Sequence, residues 1–324
     1  MLSYQKVVAF EVKAMIRLSI IVPFYNVEKY IEECIRSLYN QDIPQEEYEV
    51  ICVDDCSPDN SVAVIEDWRL KVDNLKLIRH ERNKKLGGAR NTGLKEAKGR
   101  YVWFVDSDDY IIPNCLKELL TEIEEHDLDY IHFYHKIDRD GVISEKVNQS
   151  EPTSITTGVD LFFSKEVNWL EQMTAWSKIY KRAFLEENNL YFAEDIMYED
   201  NDYALRVVMH ATSCRHIALS PYVYRANNDS ITHVAFSNTH VRYWQKVWIL
   251  ILELVPRLKV KDKRFVSIIQ GYIKSDMVAI IRYISNNPTV RKEVKSNLTA
   301  KEWYRVLMFL PLKDRIRYFK TLFL

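Results

Sequence analysis

The sequence predicts an α/β fold with a mainly parallel central sheet, followed by a C-terminal helical region. Three observations support this prediction. Short apolar segments alternate with amphipathic helical segments over residues 15–138, these apolar segments end in loops rich in acidic or aromatic side chains, and residues 237–324 show helical spacing throughout. A chain of 324 residues with 47% hydrophobic content is long enough for about two structural units, each with its own core.

Four buried strands are predicted in the first part of the chain, over residues 18–22, 48–53, 75–78 and 101–105. The first helix follows from apolar residues at i, i+3, i+4 and i+7, starting at Ile31, and Asn26 is predicted to cap it. Further helices are predicted over residues 61–70 and 88–98, and a last one, opened by Pro113, ends near residue 125. Because right-handed βαβ connections join parallel neighbours, this order predicts a parallel sheet.

The composition disfavours several classes of protein. The 45 Lys and Arg residues are balanced by 46 Asp and Glu, so the chain lacks the positive excess typical of nucleic-acid binding. The five cysteines form no CxxC pair, which argues against a disulfide framework or a structural zinc site and favours a reducing, cytoplasmic location. We found no apolar run of the length that a membrane-spanning helix requires. Residues 1–14 lack a signal-peptide pattern and are predicted to form an N-terminal extension.

Acidic residues follow two of the predicted strands. Asp54 and Asp55 end the second strand, and Asp106 and Asp108 form an Asp-x-Asp motif after the fourth. Ligands bind at the carboxyl ends of parallel strands, and Mg²⁺ or Mn²⁺ prefers carboxylates together with phosphate oxygens. An isolated Asp-x-Asp more often solvates a loop or caps a helix. Two acidic strand ends at one edge, however, repel each other unless a cation joins them, which favours a metal–nucleotide site.

Other site types find less support in the sequence. The first strand leads into Pro23-Phe24-Tyr25-Asn26 rather than a Gly-rich turn, and neither GxGxxG nor GxxxxGK[ST] occurs. A dinucleotide-dependent dehydrogenase and a P-loop enzyme are therefore disfavoured. His132 and His135 would point to opposite faces of a strand, so we interpret both as structural residues and not as metal ligands.

Seven motifs, in order between residues 16 and 232, resemble those of family 2 glycosyltransferases, which have the GT-A fold. They read LSIIVPFYNVEKYIEECIRSLYNQ, VICVDDCSPDNS, GGARNTGL, YVWFVDSDDYI, AWSKIYKRAFLEENNL, YEDNDYALRV and YRANNDSIT. The resemblance implies an inverting transferase that moves a sugar from a nucleoside-diphosphate donor, in the first instance a UDP-sugar, to a hydroxyl of a saccharide or lipid-linked acceptor. The setting it implies is bacterial surface polysaccharide synthesis.

The resemblance also divides the chain. Residues 15–138 would form the nucleotide-sugar-binding half, residues 139–236 the acceptor-binding and catalytic half, and residues 237–324 a helical region. Pro23 and Tyr25 would line the nucleoside pocket, and Asp54 or Asp55 would accept a hydrogen bond from the base. Without the resemblance, simple packing is an equal explanation for Tyr25.

The loop before the third helix would hold the nucleotide through Asn83 and Arg90. Lys85 stands where the resembled family commonly has Gly, a departure in a loop whose backbone matters. From the residues alone, Arg90 could equally be a solvated helix residue.

Metal binding is implied for the Asp-x-Asp motif, with Mn²⁺ or Mg²⁺ as the cation. Asp106 would lie near the ribose and the metal, Asp108 would be a direct ligand, and Asp109 would assist. A later segment would close over the diphosphate, and its matching residues are Arg225, Ser230 and His233.

Asp200 matches the base that takes the proton from the acceptor hydroxyl, with Glu199 as its orienting partner or substitute. Spacing alone favours a simpler reading, in which these acids stabilise the start of a helix. Trp176 and Lys178 match the border of the acceptor pocket, although Trp176 could equally belong to the core.

Three alternatives stay open. The amphipathic, basic C-terminal helices could contact an anionic membrane, or they could form a helical cap or a homodimer face. A sugar-phosphate nucleotidyltransferase would share the fold class and a carboxylate-bound metal, but usually has a Gly-rich loop after the first strand. A non-catalytic sugar-nucleotide-binding protein would not need the acids that this sequence retains.

Overall fold

The structure is a computed structural model that describes residues 15–145, 151–226, 236–257 and 263–323. The predicted extension over residues 1–14 lies outside this range. The strands are Leu18–Phe24 (β1), Tyr48–Asp54 (β2), Leu75–Arg79 (β3), Tyr101–Phe104 (β4), Tyr110–Ile111 (β5), Tyr130–Arg139 (β6), Val142–Glu145 (β7), Lys178–Lys181 (β8) and Cys214–Arg225 (β9). The helices are Ile31–Leu38 (α1), Ser61–Arg69 (α2), Lys85–Glu96 (α3), Leu116–Glu124 (α4), Gly158–Phe162 (α5), Arg182–Glu187 (α6), Glu199–His210 (α7), Asn238–Leu254 (α8), Lys263–Asn286 (α9), Arg291–Ser296 (α10), Ala300–Phe309 (α11) and Leu312–Phe323 (α12).

All nine strands belong to one sheet, in the order β3-β2-β1-β4-β8-β6-β9-β5, with β7 paired to β6. The strands β3, β2, β1 and β4 are parallel, as the sequence predicts. Beyond them the sheet is mixed, because β8 runs antiparallel to both β4 and β6, and β5 runs antiparallel to β9. The parallel prediction thus holds for the N-terminal half of the sheet.

Helices cover both faces of the parallel strands. Every residue of β1 and β2 is buried, and alternate side chains of β1 enter different cores. Leu18 and Ile20 pack with α1 and α4, whereas Ile21 packs with α3, α6 and α7. Strands buried on both faces read as continuous apolar runs, which is the pattern that these segments show.

The helix α7 lies between the sheet and the C-terminal helices. Its Tyr203 and Val207 belong to the core that Ile21 enters, on the face of the sheet that α3 and α6 cover. Its Ala204, Leu205 and Val208 pack in a second core with α5, α8, α9, α11 and α12. The C-terminal region is therefore a helical cap on α7. Within the described residues, no helix is long and apolar enough to cross a membrane.

Two predicted helix starts are wrong. The helix α1 begins at Ile31 rather than directly after Asn26, which has a left-handed backbone with φ of 55°. The backbone N–H groups of Asn26 and Val27 donate to the hydroxyls of Ser57 and Ser61. These bonds tie the loop after β1 to the start of α2 and delay the helix. In the other case, α4 begins at Leu116, after Pro113 and two further loop residues.

The loop before α3 keeps the backbone shape that a glycine would favour. Lys85 has φ of 65°, in the left-handed region. Its N–H donates to Asn83 Oδ1 at 3.1 Å, and the Asn83 amide donates to the carbonyl of Asp55 at 3.0 Å. Neighbouring hydrogen bonds thus hold Lys85 in a conformation that is costly for a residue with a Cβ atom.

We predict that Lys85→Gly raises the free energy of unfolding by about 0.5–1 kcal/mol, because relief of the left-handed strain outweighs the added entropy of the unfolded chain. Chemical denaturation measures this change. The control is Lys95→Gly, on the exposed side of α3, which should lower the free energy of unfolding by about 1 kcal/mol. Equal destabilisation by both changes would contradict the strain.

Candidate active site

The guanidinium of Arg90, on α3, lies at the centre of the site and is fully buried. One terminal nitrogen donates to Glu199 Oε1 at 2.8 Å and to Asp200 Oδ1 at 2.5 Å. The other donates to Asp106 Oδ1 at 2.7 Å. The guanidinium also lies over the ring of Phe192, 5.2 Å from its centroid. One cation thereby joins carboxylates from the end of β4 and the start of α7.

The two acids of α7 differ in their access to solvent. Burial raises the pKa of Glu199 to about 8, with a further rise from the charge of Asp200 and an opposing effect of Arg90. Burial also raises the pKa of Asp200, and Arg90 opposes this shift too. The side chain of Asp200 is 23% exposed, against 5% for Glu199. Asp200 is thus the carboxylate of this pair that a ligand can reach.

The second oxygen of Asp200 faces a different element. Its Oδ2 accepts a hydrogen bond from the backbone N–H of Ala175 at 3.2 Å. Ala175 lies in the segment that leads into β8. The two oxygens of Asp200 thus mark two directions, one toward Arg90 and the Asp-x-Asp motif and the other toward the segment before β8.

The loop after β4 is fixed by β9. The N–H of Asp106 donates to the hydroxyl of Tyr222 at 3.1 Å, and this hydroxyl donates to Asp109 Oδ2 at 2.6 Å. Asp109 Oδ1 accepts from the N–H of Arg225 at 2.7 Å. Burial, together with the charges of Asp108 and Asp106, raises the pKa of Asp109 well above its usual value. Because both its oxygens already accept hydrogen bonds, we assign Asp109 to loop structure and not to metal binding.

The Asp-x-Asp motif fits a divalent cation that arrives with phosphate ligands. Asp106 and Asp108 are both partly exposed. Over the ranges that the structure describes, no three His, Cys, Asp or Glu side chains converge into a complete metal site. A protein that supplies one or two carboxylates and leaves the other positions to phosphate and water is typical for Mg²⁺, and this donor set matches it. The metal ligands stay a prediction.

Arg225 lies beside the same loop. Its Nε donates to the carbonyl of Asp108 at 3.0 Å, and a terminal nitrogen donates to Glu33 Oε2 at 2.6 Å. Its guanidinium lies 5.2 Å from the ring centroids of both Tyr30 and Tyr110. The structure thus brings the predicted phosphate-binding arginine next to the Asp-x-Asp motif. The two other residues predicted for that segment, Ser230 and His233, lie outside the described residues.

The acids that end β2 are buried and shape the surrounding loops. Asp54 accepts a hydrogen bond from the N–H of Ser57 at 2.8 Å. Asp55 Oδ1 accepts from the N–H of Lys84 at 2.8 Å and lies 2.8 Å from His80 Nδ1. A hydrogen bond from either aspartate to a nucleobase stays a prediction.

The other predicted nucleoside contacts lie at the end of β1. Pro23 is a buried residue of this strand, and Tyr25, in the loop that follows, is 49% exposed. An exposed ring next to a buried strand end is available for stacking on a base, so the assignment of Tyr25 remains a prediction.

The two residues predicted to border the acceptor pocket differ in their contacts. The indole of Trp176 is 8% exposed and stacks on the ring of Tyr222, with centroids 4.4 Å apart. Lys178 is fully buried, and its ammonium donates to the carbonyls of Gln172 at 2.6 Å and Thr174 at 3.0 Å. Burial lowers the pKa of Lys178 to about 7. This corrects the predicted substrate contact of Lys178, because β8 lies between two strands and its lysine holds the segment that contacts Asp200.

The two histidines that we interpret as structural residues both pack against other aromatic rings. His132 packs against His216 with their Nδ1 atoms 2.9 Å apart, and His135 meets the edge of the Trp176 ring on the other face of β6. Sequence reasoning missed three residues that organise the site, namely Tyr222, His80 and Phe192. Of these, Tyr222 had a detectable signal, because it stands two residues before the recognised motif that begins at Tyr224.

Comparison with known proteins identifies the family of the chain. Residues 19–184, more than half of the chain, match Glycosyl transferase family 2. The chain is 37% identical over 217 residues to the poly(ribitol-phosphate) beta-N-acetylglucosaminyltransferase TarS of Staphylococcus aureus (strain Mu50), which covers 66% of this chain and 36% of TarS. It is 34% identical over 233 residues to the uncharacterized glycosyltransferase EpsJ of Bacillus subtilis, which covers 70% of this chain and 66% of EpsJ.

A solved structure is similar as well. The crystal structure of S. aureus TarS 1–349 in complex with UDP-GlcNAc superposes with a TM-score of 0.66 at 27% identity, over 94% of this chain and 81% of that chain. This similarity confirms the predicted GT-A fold with a C-terminal helical region. The chain spans about a third of the full length of TarS. On the family match, the sequence relatives and the shared fold together, the chain belongs to glycosyl transferase family 2.

Proposed function

We propose that this protein is an inverting glycosyltransferase that moves a sugar from a nucleoside-diphosphate sugar to an acceptor hydroxyl. One observation carries the proposal: Arg90 donates hydrogen bonds to both Asp106 and Asp200. The Asp-x-Asp motif and the accessible acid of α7 therefore lie on two sides of one guanidinium. Transfer requires the donor diphosphate and the acceptor base to be adjacent, and this pair meets that requirement.

The acceptor hydroxyl would approach Asp200. As its oxygen forms a bond to the anomeric carbon from the face opposite the diphosphate, Asp200 takes the hydroxyl proton, the bond to the diphosphate breaks, and the configuration inverts. Burial raises the pKa of Asp200, which strengthens the base, while Arg90 lowers it and favours the ionised form that can accept a proton. A divalent ion held by Asp106 and Asp108, Mn²⁺ or Mg²⁺, would neutralise charge on the departing diphosphate.

The donor is proposed from the relatives. The TarS fragment was crystallised with UDP-GlcNAc, and a UDP-sugar is therefore our first choice of donor. The name of TarS describes the transfer of N-acetylglucosamine to poly(ribitol-phosphate), and we propose for this chain a saccharide or lipid-linked acceptor in bacterial surface polysaccharide synthesis. A sugar-phosphate nucleotidyltransferase would release pyrophosphate instead of a nucleoside diphosphate, and a non-catalytic binder would release neither.

Peripheral contact with an anionic membrane is a further part of the proposal. The helices α11 and α12 expose apolar side chains at helical spacing, namely Tyr304, Met308, Leu312, Ile316 and Phe319. Residues 291–323 contain nine Lys and Arg against three Asp and Glu. An apolar stripe with a surrounding basic excess is complementary to an anionic lipid surface. A cytoplasmic location agrees with the five cysteines, which are all free thiols.

The assignment of Asp108 and Asp200 predicts a separation of donor binding from transfer. Asp108→Ala should abolish the metal-dependent binding of a UDP-sugar, measured by calorimetry with and without Mn²⁺. Asp200→Asn should leave this binding largely intact and slow transfer at least about 100-fold, measured as nucleoside diphosphate released in the presence of acceptor.

Asp195→Asn, an exposed substitution in the loop before α7, is the matched control and should behave as the parent protein. Transfer by Asp200→Asn at the parent rate would rule out Asp200 as the base. Pyrophosphate release from a sugar phosphate and a nucleoside triphosphate would overturn the transferase assignment.

Arg90→Met should lower the free energy of unfolding by about 3–5 kcal/mol, because it leaves buried carboxylates without their cation. The folded-state pKa of Glu199 would rise further above its present value of about 8. A group whose pKa is raised by folding stabilises the protein below its unfolded pKa, and this stabilisation is lost as pH rises through the folded pKa. The parent and Arg90→Met both lose this stabilisation between the ordinary carboxyl pKa of 4.5 and a pH of about 8, so the stability difference between them should stay constant there and grow at higher pH, where only the variant still releases the Glu199 proton.

Denaturant titrations below and above a pH of about 8 measure the effect. Arg206→Met is the matched control, because Arg206 pairs with Asp202 one turn away and is 16% exposed. Arg206→Met should lower the free energy of unfolding by less than Arg90→Met does, and this loss should depend less on pH. An equal cost for both substitutions would argue against the central role of Arg90.

The protein should sediment with vesicles that contain phosphatidylglycerol and not with neutral phosphatidylcholine vesicles. Combined substitution of Leu312, Ile316 and Phe319 by Ser should abolish this binding, since it removes the apolar stripe of α12. Ile143→Ser, at an exposed apolar residue of β7, is the control. A dimer that the triple substitution dissociates, without vesicle binding, would assign the stripe to self-association instead.

A further inference from the structure

A cavity of about 420 Å³ lies between the end of α5, the segment that follows it, β6 and α9. Aromatic rings from Tyr134, Phe163 and Trp169 line it, together with polar side chains from Lys165 and Asn168. The volume is within the range of small-molecule sites, about 300–1,000 Å³. The mechanism above uses none of these residues.

Two connections link the walls of the cavity to Asp200 and its neighbour in the chain. Ile268 lines it from α9, one turn or about 6 Å along the helix from Tyr272. The hydroxyl of Tyr272 accepts a hydrogen bond at 2.9 Å from Asn201, the residue directly after Asp200. The base and the α9 wall of the cavity are therefore linked through one hydrogen bond and one helical turn.

The second connection runs through the opposite wall. The lining segment, residues 162–169, continues into the segment that Lys178 holds through Gln172 and Thr174. That segment ends at Ala175, whose N–H donates to Asp200 Oδ2. This connection therefore reaches Asp200 through Oδ2, and not through Oδ1, the oxygen that contacts Arg90.

The lining suits a neutral sugar. Aromatic rings stack on the apolar C–H faces of sugar rings, while amide, ammonium and carboxylate groups bond the hydroxyls. The adjacent Lys165 and Glu166 carry opposite charges, so the lining has no excess that would select a polyanion. Among the described residues, the buried hydroxyl of Ser164 has no hydrogen-bond partner. A buried polar group of this kind is costly unless a water or a ligand hydroxyl satisfies it.

We propose that this cavity is an acceptor subsite that binds a neutral saccharide unit remote from the hydroxyl that reacts. The inference rests on the proposed transferase function and extends it to an acceptor of more than one unit. Such an acceptor spans the distance between Asp200 and Trp169, and its affinity comes partly from the cavity. A short acceptor reaches Asp200 alone.

Saturation-transfer NMR with maltose, cellobiose and N,N′-diacetylchitobiose as probes tests the site directly. The parent protein and Asp200→Asn should both bind at least one of these disaccharides, because binding does not require turnover. Trp169→Ala should weaken that binding at least about tenfold, as expected for loss of an aromatic anchor. Trp169→Phe, which keeps a ring, should restore most of the disaccharide binding. Lys165→Ala, at an exposed position, is a second variant of the cavity lining. Trp68→Ala, on α2, is the control and should bind as the parent does.

Kinetics separate this proposal from the proposed function. Once an acceptor is found, Trp169→Ala should raise KM for acceptors of two or more units about tenfold and leave KM for a single unit and kcat unchanged. Disaccharide binding without any transfer would retain the subsite and overturn the transferase. Transfer with equal KM values in Trp169→Ala and the parent, and no disaccharide bound, would retain the transferase and overturn the subsite.

Discussion

The buried guanidinium of Arg90 is the interaction on which the rest of the site depends. Removing an arginine from water is costly, and the cost is offset here by hydrogen bonds to Asp106, Glu199 and Asp200. Without the cation, these acids would repel one another and α7 could not begin at this point of the sheet edge. Buried ion clusters contribute little net stability, but this one fixes the relative position of α3, the end of β4 and α7.

The position of α7 is fixed from two further sides. The core beneath the sheet holds one face of this helix, and the C-terminal helices hold the other. The Asp-x-Asp loop is similarly fixed, because Tyr222 and Asp109 fasten it to β9. Rigid elements on both sides therefore position the groups that we propose to react, which is the arrangement that transfer between two bound substrates requires. The helical cap is thus part of the proposed catalytic scaffold.

The sequence predicted local features well and long-range ones poorly. The parallel strands, their acidic ends and the start of α7 follow from apolar runs and helical spacing, which are local signals. The antiparallel half was missed because β8 pairs with β4 and β6 over long distances in sequence. The resemblance assigns Lys178 to the border of the acceptor pocket, and its burial and its carbonyl partners cannot be inferred from spacing, because lysines are rarely buried. Arg90 joins acids 109 and 110 positions away, beyond the reach of any local pattern.

The charges of the site argue for the cation that the motif suggests. Burial raises the pKa of Glu199 and favours its protonated form, which leaves Asp106 and Asp200 as the acids that balance Arg90. With Asp108, three acids of the motif and of α7 accompany one buried cation. A divalent cation would offset this excess of acids, and Arg225, beside the motif, would oppose the charge of an incoming diphosphate. We therefore propose that the metal and the diphosphate bind together, because the diphosphate supplies ligands that the two carboxylates of the motif leave open.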